Sequence, residues 1–183
     1  MKVSTSKTPF NTLFLDRDGV INVRDFDGYI TRPSEFIFCK HAMEGIQLLA
    51  SLFDRIIVVT NQQCIAKNII SESNLNDIHR YMTDSLAAKG IKIDAIYVAE
   101  NLKDATNDRR KPSPAMGLEA KEQFSTIDFT NSWMVGDTDS DILFGMNLGM
   151  HTAAVKSNER LTQTPTLLVT DLVELYNRIK PIK

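Results

Sequence analysis

The sequence predicts an α/β fold, a doubly wound and mostly parallel sheet with helices on both faces. Three observations predict it. Short apolar runs alternate with stretches of helical periodicity along almost the whole chain. The runs at 12–15 (TLFL) and 55–59 (RIIVV) are apolar without alternation, as strands covered on both faces require. Polar clusters follow three strand runs at the same end: Asp16-Arg17-Asp18-Gly19, Thr60-Asn61-Gln62 and Gly136-Asp137. Ligands of parallel sheets bind at the carboxyl ends of the strands.

Each element has its own signal. Residues 1–11 are polar. The strand at 12–15 stops at three consecutive charges, which cannot continue into a core, and Gly19 lets the backbone turn beside them. Residues 20–34 hold Gly28, Pro33 and several charges, and read as a loop or small hairpin over the strand end. A helix is expected over 41–53, with Ala42, Ile46, Leu49 and Phe53 on one face. The strand at 55–59 follows. Ser71 is an N-cap for a helix with Leu75, Ile78, Met82 and Leu86 on one stripe and Gly90 at its C-terminal end. A strand at 93–99 leads into a polar, irregular segment over 100–110. Lys111-Pro112-Ser113-Pro114 opens the next helix, because a proline near the first turn sacrifices no hydrogen bond. Strands at 132–135, 152–155 and 166–169, a short helix around 142–146 and a closing helix over 172–179 complete the alternation. No boundary suggests a second folded unit, so one domain over 1–183 is expected. The connections after the first and third strands leave room for only a short cap.

Bulk properties narrow the function. The 183 residues are 43% hydrophobic and 24% charged, enough for a substantial core. A net charge of −2 gives no electrostatic case for nucleic acid or an anionic membrane as partner. Cys39 and Cys64 form no CxxC pair, so a reducing cytoplasm is expected. The start, MKVSTSKTPFN, has no apolar core of signal-peptide length, and no apolar run approaches the ~18 residues of a membrane span. The oligomeric state is not given by the sequence.

A parallel sheet gathers all its strand ends on one edge. That edge would collect Asp16, Asp18, Thr60, Asn61, Arg110, Lys111 and Asp137, with Asp141 one turn along the next helix. Carboxylate oxygens suit a hard cation such as Mg²⁺. Thr60 and Lys111 can hold the remaining oxygens of a phosphate, one carboxylate can attack phosphorus and a second can move protons.

The segments DRDGVIN, VVTNQQ, RKPSP and VGDTDSD resemble, in this order, the four motifs of the haloacid dehalogenase (HAD) superfamily of phosphohydrolases. The chain most resembles the branch of heptose bisphosphate and histidinol-phosphate phosphatases, from about Thr12 to the last helix. The resemblance implies a Rossmann-like core with short inserts as its cap. It makes Asp16 the nucleophile that forms an aspartyl-phosphate and Asp18 the general acid and base. Thr60 and Lys111 become the phosphate-binding groups. Asp16, Asp137 and the backbone carbonyl of Asp18 become the Mg²⁺ ligands, and Asn61 and Arg110 orient substrate. Many members of the branch hold zinc with Cys and His just before RKP. Here that loop reads VAENLKDATNDRRKP and has neither residue type, so no structural zinc is predicted.

The expected partner is a small phosphorylated metabolite, a sugar phosphate or bisphosphate first and histidinol phosphate next. A receiver module that holds phosphate on an aspartate without turnover is the alternative from a different class. Asp18 counts against it, because a receiver has no use for a second acid as a proton shuttle. Asp141 is read as a carboxylate that steadies the metal or Lys111, against the alternative of an ordinary first-turn helix acid. Arg110 is read as a substrate contact and Arg109 as solvated. Arg17 is expected to point away from the acids. Cys64 is expected to be a packed thiol and Trp133 a core residue. Asn22, Asp25 and Asp27 either line the substrate mouth or serve loop solubility.

Overall fold

The computed structural model describes residues 8–103 and 109–181. Strands β1 (Phe10–Leu15), β2 (Phe53–Asn61), β3 (Ala95–Ala99), β4 (Trp133–Gly136), β5 (His151–Val155) and β6 (Leu167–Val169) alternate with helices α1 (Ala42–Ala50), α2 (Glu72–Ala87), α3 (Ala115–Gln123), α4 (Asp139–Asn147) and α5 (Leu172–Ile179). The strands form one six-stranded sheet in the order β3-β2-β1-β4-β5-β6, and every pairing is parallel.

The alternation of side chains along β1 explains the layers. Leu13, Phe14 and Leu15 are all fully buried, but successive residues face opposite sides of the sheet. Leu13 and Leu15 join Ile46 and Leu49 of α1, Leu75 and Ile78 of α2 and Leu172 and Leu175 of α5. Phe14 joins Met116 and Ala120 of α3 and Phe144 of α4. Each such side chain contributes about 1.5–3 kcal/mol by leaving water. Two cores therefore hold one sheet between two helical layers.

The chain leaves β1 toward β2 and β3, then crosses back to β4 on its other side. This reversal puts a crevice at the carboxyl ends of β1 and β4, where doubly wound sheets bind their ligands. Asp16 and Asp137 are the first residues past those two strands.

Most expected elements are present with ends shifted by a few residues. Phe53 is the clear correction. Helix α1 stops at Ala50, and Phe53 begins β2, where its ring stacks on that of Phe10 at 5.2 Å. The amide of Leu52 closes back on the Leu49 carbonyl at 2.8 Å, which ends the helix in a tight turn. The segment after β1 is not a hairpin. It carries isolated bridges, Asp18 to Asn22 and Asn22 to Phe38, and a 3₁₀ turn at Pro33–Glu35. Trp133 is buried as expected, stacked on His151 at 5.0 Å. No helix among the described residues is long and apolar enough to cross a membrane.

Candidate active site

The floor of the site is built from strand ends. Asp16 follows β1, and its amide donates to the Val135 carbonyl of β4 at 2.9 Å. Gly19 closes the turn with φ +90°, and a Cβ there would collide with the Asp137 carboxylate. Asp16, Asp137 and Asp141 are all buried, each offering an oxygen within 4.8 Å of the others.

One cation enters this cluster. The buried Lys111 Nζ donates to Asp16 Oδ1 at 2.7 Å and to the Val59 carbonyl at 2.7 Å, and sits 2.6 Å from Asp141 Oδ1. The second Asp141 oxygen accepts from the amide and hydroxyl of Thr138 at 3.0 and 2.7 Å, closing a capping box on α4. Asp141 thus steadies Lys111 and caps its own helix, so both readings of its sequence position describe part of its role.

Two of the three carboxyls are pushed upward. Burial raises Asp16 to about 7, with Lys111 pulling down and Asp141, Asp137 and Asp18 pushing up. Burial and then Asp141 raise Asp137 to about 6. Burial disfavours the Lys111 charge, but Asp141 and Asp16 outweigh it and raise its pKa. Neither oxygen of Asp137 has a hydrogen-bond donor among the described residues. The nearest cation to it is Arg24, with Nη1 at 3.6 Å. A buried all-oxygen cluster with unsatisfied lone pairs and a shortage of positive charge fits a hard divalent cation.

Asp18 sits apart from the trio in a cage of donors. Nη2 of Arg17 donates to both of its oxygens at 2.9 Å, Asn22 Nδ2 to Oδ1 at 2.9 Å and Gln62 Nε2 to Oδ2 at 2.7 Å. Burial pushes this carboxyl up, but Arg17, Asn22 and Gln62 together hold it below its ordinary value. Arg17 therefore does not point away from both acids. Its side chain folds back on Asp18 and is 1% exposed, because a buried guanidinium requires a carboxylate partner.

Thr60, Asn61, Arg110 and Lys111 line a cavity of about 280 Å³ together with Asp16, Asp18 and Asp141. The Thr60 hydroxyl accepts from Gln62 Nε2 at 2.8 Å. Asn61 turns its amide onto the backbone of Lys111, accepting from its N–H at 3.0 Å and donating to its carbonyl at 3.2 Å. The 20–34 segment adds Arg24, Asp25, Phe26 and Tyr29 to the outer wall. Asn22 is fully buried on Asp18 and does not line the mouth. Cys64 is buried, and burial pushes its thiol up, as a packed side chain requires.

Arg109 is a second correction. It is not a solvated charge. It pairs through two nitrogens with Glu119 of α3 and donates to the Val98 carbonyl of β3. Gln62 and Arg24 were given no role by the sequence, and Asn22, read as a mouth or solubility residue, instead donates to Asp18. Gln62 directly follows Thr60-Asn61 and was within reach of the same strand-end argument. Arg24 had no comparable signal.

Residues 108–175 match a family model described as HAD-hydrolase-like. The chain is 32% identical over 183 residues to the D-glycero-beta-D-manno-heptose-1,7-bisphosphate 7-phosphatase of Photorhabdus laumondii, covering 93% of this chain and 96% of that one. The chain belongs to the HAD phosphatases, in the heptose bisphosphate and histidinol-phosphate phosphatase branch. Its resemblance to the enzyme of the same name from Helicobacter pylori strain J99 is 33% over 159 residues, 86% of this chain and 87% of that one. A crystal structure of D,D-heptose 1,7-bisphosphate phosphatase from B. bronchiseptica, complexed with magnesium and phosphate, shares the fold. Its TM-score is 0.81 at 24% identity, covering 92% of this chain and 97% of that one. The corresponding enzyme from Burkholderia thailandensis gives a TM-score of 0.66 at 26% identity, with coverage of 92% and 97%. As a HAD phosphatase, the chain is an enzyme that turns over phosphate esters, which removes the receiver alternative.

Proposed function

We propose that this phosphatase is a Mg²⁺-dependent phosphomonoesterase acting on a small phosphorylated sugar, with a heptose bisphosphate as the leading substrate. The observation that carries the reading is the buried trio of Asp16, Asp137 and Asp141, of which Asp16 and Asp141 pair with Lys111 and line with it a cavity of about 280 Å³. The names of relatives at 32% and 33% identity support the substrate class. Cys39 and Cys64 are both free, in keeping with a reducing compartment such as the cytoplasm. The 183 residues act as one domain in this reading.

Asp16, Asp137 and the Asp18 backbone carbonyl would hold the magnesium ion, which supplies positive charge against the carboxylates and the transferring phosphoryl oxygens. Lys111 and Thr60 bind the remaining phosphoryl oxygens. Asp16 attacks phosphorus in line, and the P–O bond to the alcohol breaks as Asp18 gives that oxygen a proton. Asp18 must first take up that proton as substrate binds, because Arg17, Asn22 and Gln62 hold its carboxyl below the ordinary value in the free fold. Asp18, now a carboxylate, takes a proton from water, which attacks the aspartyl-phosphate. Inorganic phosphate leaves and Asp16 is restored. Arg110 and Arg24, on the outer wall of the cavity, supply charge for the far end of an anionic substrate.

The test is phosphate release with Mg²⁺ across a heptose bisphosphate, other sugar phosphates, histidinol phosphate and nucleotides. The expected result is many turnovers per chain, with the highest kcat/KM on a sugar bisphosphate. A single stoichiometric phosphorylation would overturn the mechanism, and a clear preference for histidinol phosphate would overturn the substrate class.

A further inference from the structure

We propose that His79 is a positioning residue for the acid–base carboxylate of Asp18, acting through the buried guanidinium of Arg17. The inference rests on the acid–base role given to Asp18 above.

Arg17 is among the largest fully buried side chains of the molecule. Its backbone is fixed, since its carbonyl accepts from the amides of Ile21 at 2.8 Å and Asn22 at 3.1 Å. Its long side chain is not fixed by those bonds. Among the described residues, two side chains hold the guanidinium: Nη2 donates to both oxygens of Asp18, and Nη1 faces Nε2 of His79 at 3.3 Å.

A guanidinium has only donors. Nε2 of His79 must therefore present its lone pair, which makes the ring neutral with its proton on Nδ1. His79 is 7% exposed, on the face of α2 that also buries Leu75, Ile78 and Met82. Burial and then the Arg17 charge push its pKa down to about 3, in keeping with a neutral ring. His79 does not line the cavity, so it reaches the substrate only through Arg17.

Nε of Arg17 is already buried and unpaired among the described residues, so loss of the His79 acceptor would leave a second buried donor, Nη1, without a partner. A buried unpaired donor is costly, so the guanidinium would reorient to find one. Asp18 would then keep only Asn22 and Gln62, and its carboxyl would no longer be held in one orientation at the cavity wall.

The experiment compares His79→Leu, which removes the acceptor, with His79→Gln, whose side-chain carbonyl can accept from Nη1. A sugar phosphate, whose alcohol needs a proton to leave, is set against an activated aryl phosphate, which does not. His79→Leu is expected to lower kcat on the sugar phosphate by about tenfold, part of the hundredfold or more that a general acid contributes. KM and the aryl phosphate rate are expected to stay within about twofold, and His79→Gln to recover most of the loss. An unchanged sugar phosphate rate, an equal loss on both esters, or no rescue by His79→Gln would overturn the proposal. A measurement on the unaltered protein covers the case in which His79→Leu does not fold. Its imidazole ¹⁵N shifts at neutral pH are expected to be those of the neutral Nδ1–H tautomer. An Nε2–H tautomer or a charged ring would overturn the proposal. Failure of the acid–base reading itself looks different: Asp18→Ala would then depress both esters equally.

Discussion

Lys111 Nζ and Asp16 Oδ1 lie 2.7 Å apart, although 95 positions separate the two residues in the chain. The ammonium holds the carboxylate at the crevice between β1 and β4 and offsets part of the negative charge around it. All three N–H groups of this Nζ are taken up, by Asp16, the Val59 carbonyl and Asp141, so in the proposed mechanism a phosphoryl oxygen must displace or share one of them.

Asp16→Asn keeps the shape of this contact and removes the nucleophile. Turnover is expected to fall below detection in a phosphate-release assay. The circular dichroism spectrum should be unchanged, because the substitution relieves like-charge crowding with Asp137 and Asp141 and opens no cavity. Retained turnover would refute the covalent route.

Asp18→Ala removes a proton donor and leaves the nucleophile intact. The loss should be on the order of a hundredfold or more for a sugar phosphate and much smaller for an activated aryl phosphate. Parallel kcat measurements on the two esters check this.

The carboxyls of Asp16 and Asp137 are raised to about 7 and about 6 in the metal-free fold. Both folded values lie above the unfolded value of 3.8. The stability these groups contribute is therefore complete below about pH 4 and is lost as pH rises through about 6 and 7. A divalent cation binds their ionised forms, so its stabilising effect should grow over the same window. The shift in Tm on adding Mg²⁺ is expected to be small at pH 5 and large at pH 8. A shift independent of pH would count against these carboxylates as the ligands.

Arg109 ties the start of the RKP segment to Glu119 of α3 and to the end of β3. The pair is partly exposed, so its direct worth to stability is at most about 1 kcal/mol. Its consequence lies in where it holds Arg110 and Lys111. Glu119→Gln should raise KM for a bisphosphate several-fold while Tm changes by only a few degrees. Steady-state kinetics beside a thermal melt would separate the two effects.

Much of the site was legible because its chemistry is concentrated at strand ends. Asp16-Arg17-Asp18-Gly19 and Gly136-Asp137 interrupt apolar runs, and burying such groups without a purpose is too costly to be common. The two misread charged residues share one feature. Arg17 and Arg109 are long cations whose partners are set by their surroundings, and strand alternation predicts only where a Cβ points. His79 was legible only as a member of the α2 helix, because the partner of its ring, Arg17, lies 62 positions away.

The sequence by itself determined the alternation of strands and helices, the apolar faces that build two cores, and the residue types able to bind a cation and a phosphate. Those properties are local, fixed by side-chain period and by the cost of burying charge. Only the tertiary structure decided which carboxylate Lys111 joins, that Arg17 grips Asp18 and that Arg109 clasps Glu119. Flexible side chains choose their partners by proximity in three dimensions, and for Lys111 and Asp16, 95 positions apart, the packing of β2 and β4 on either side of β1 sets that proximity.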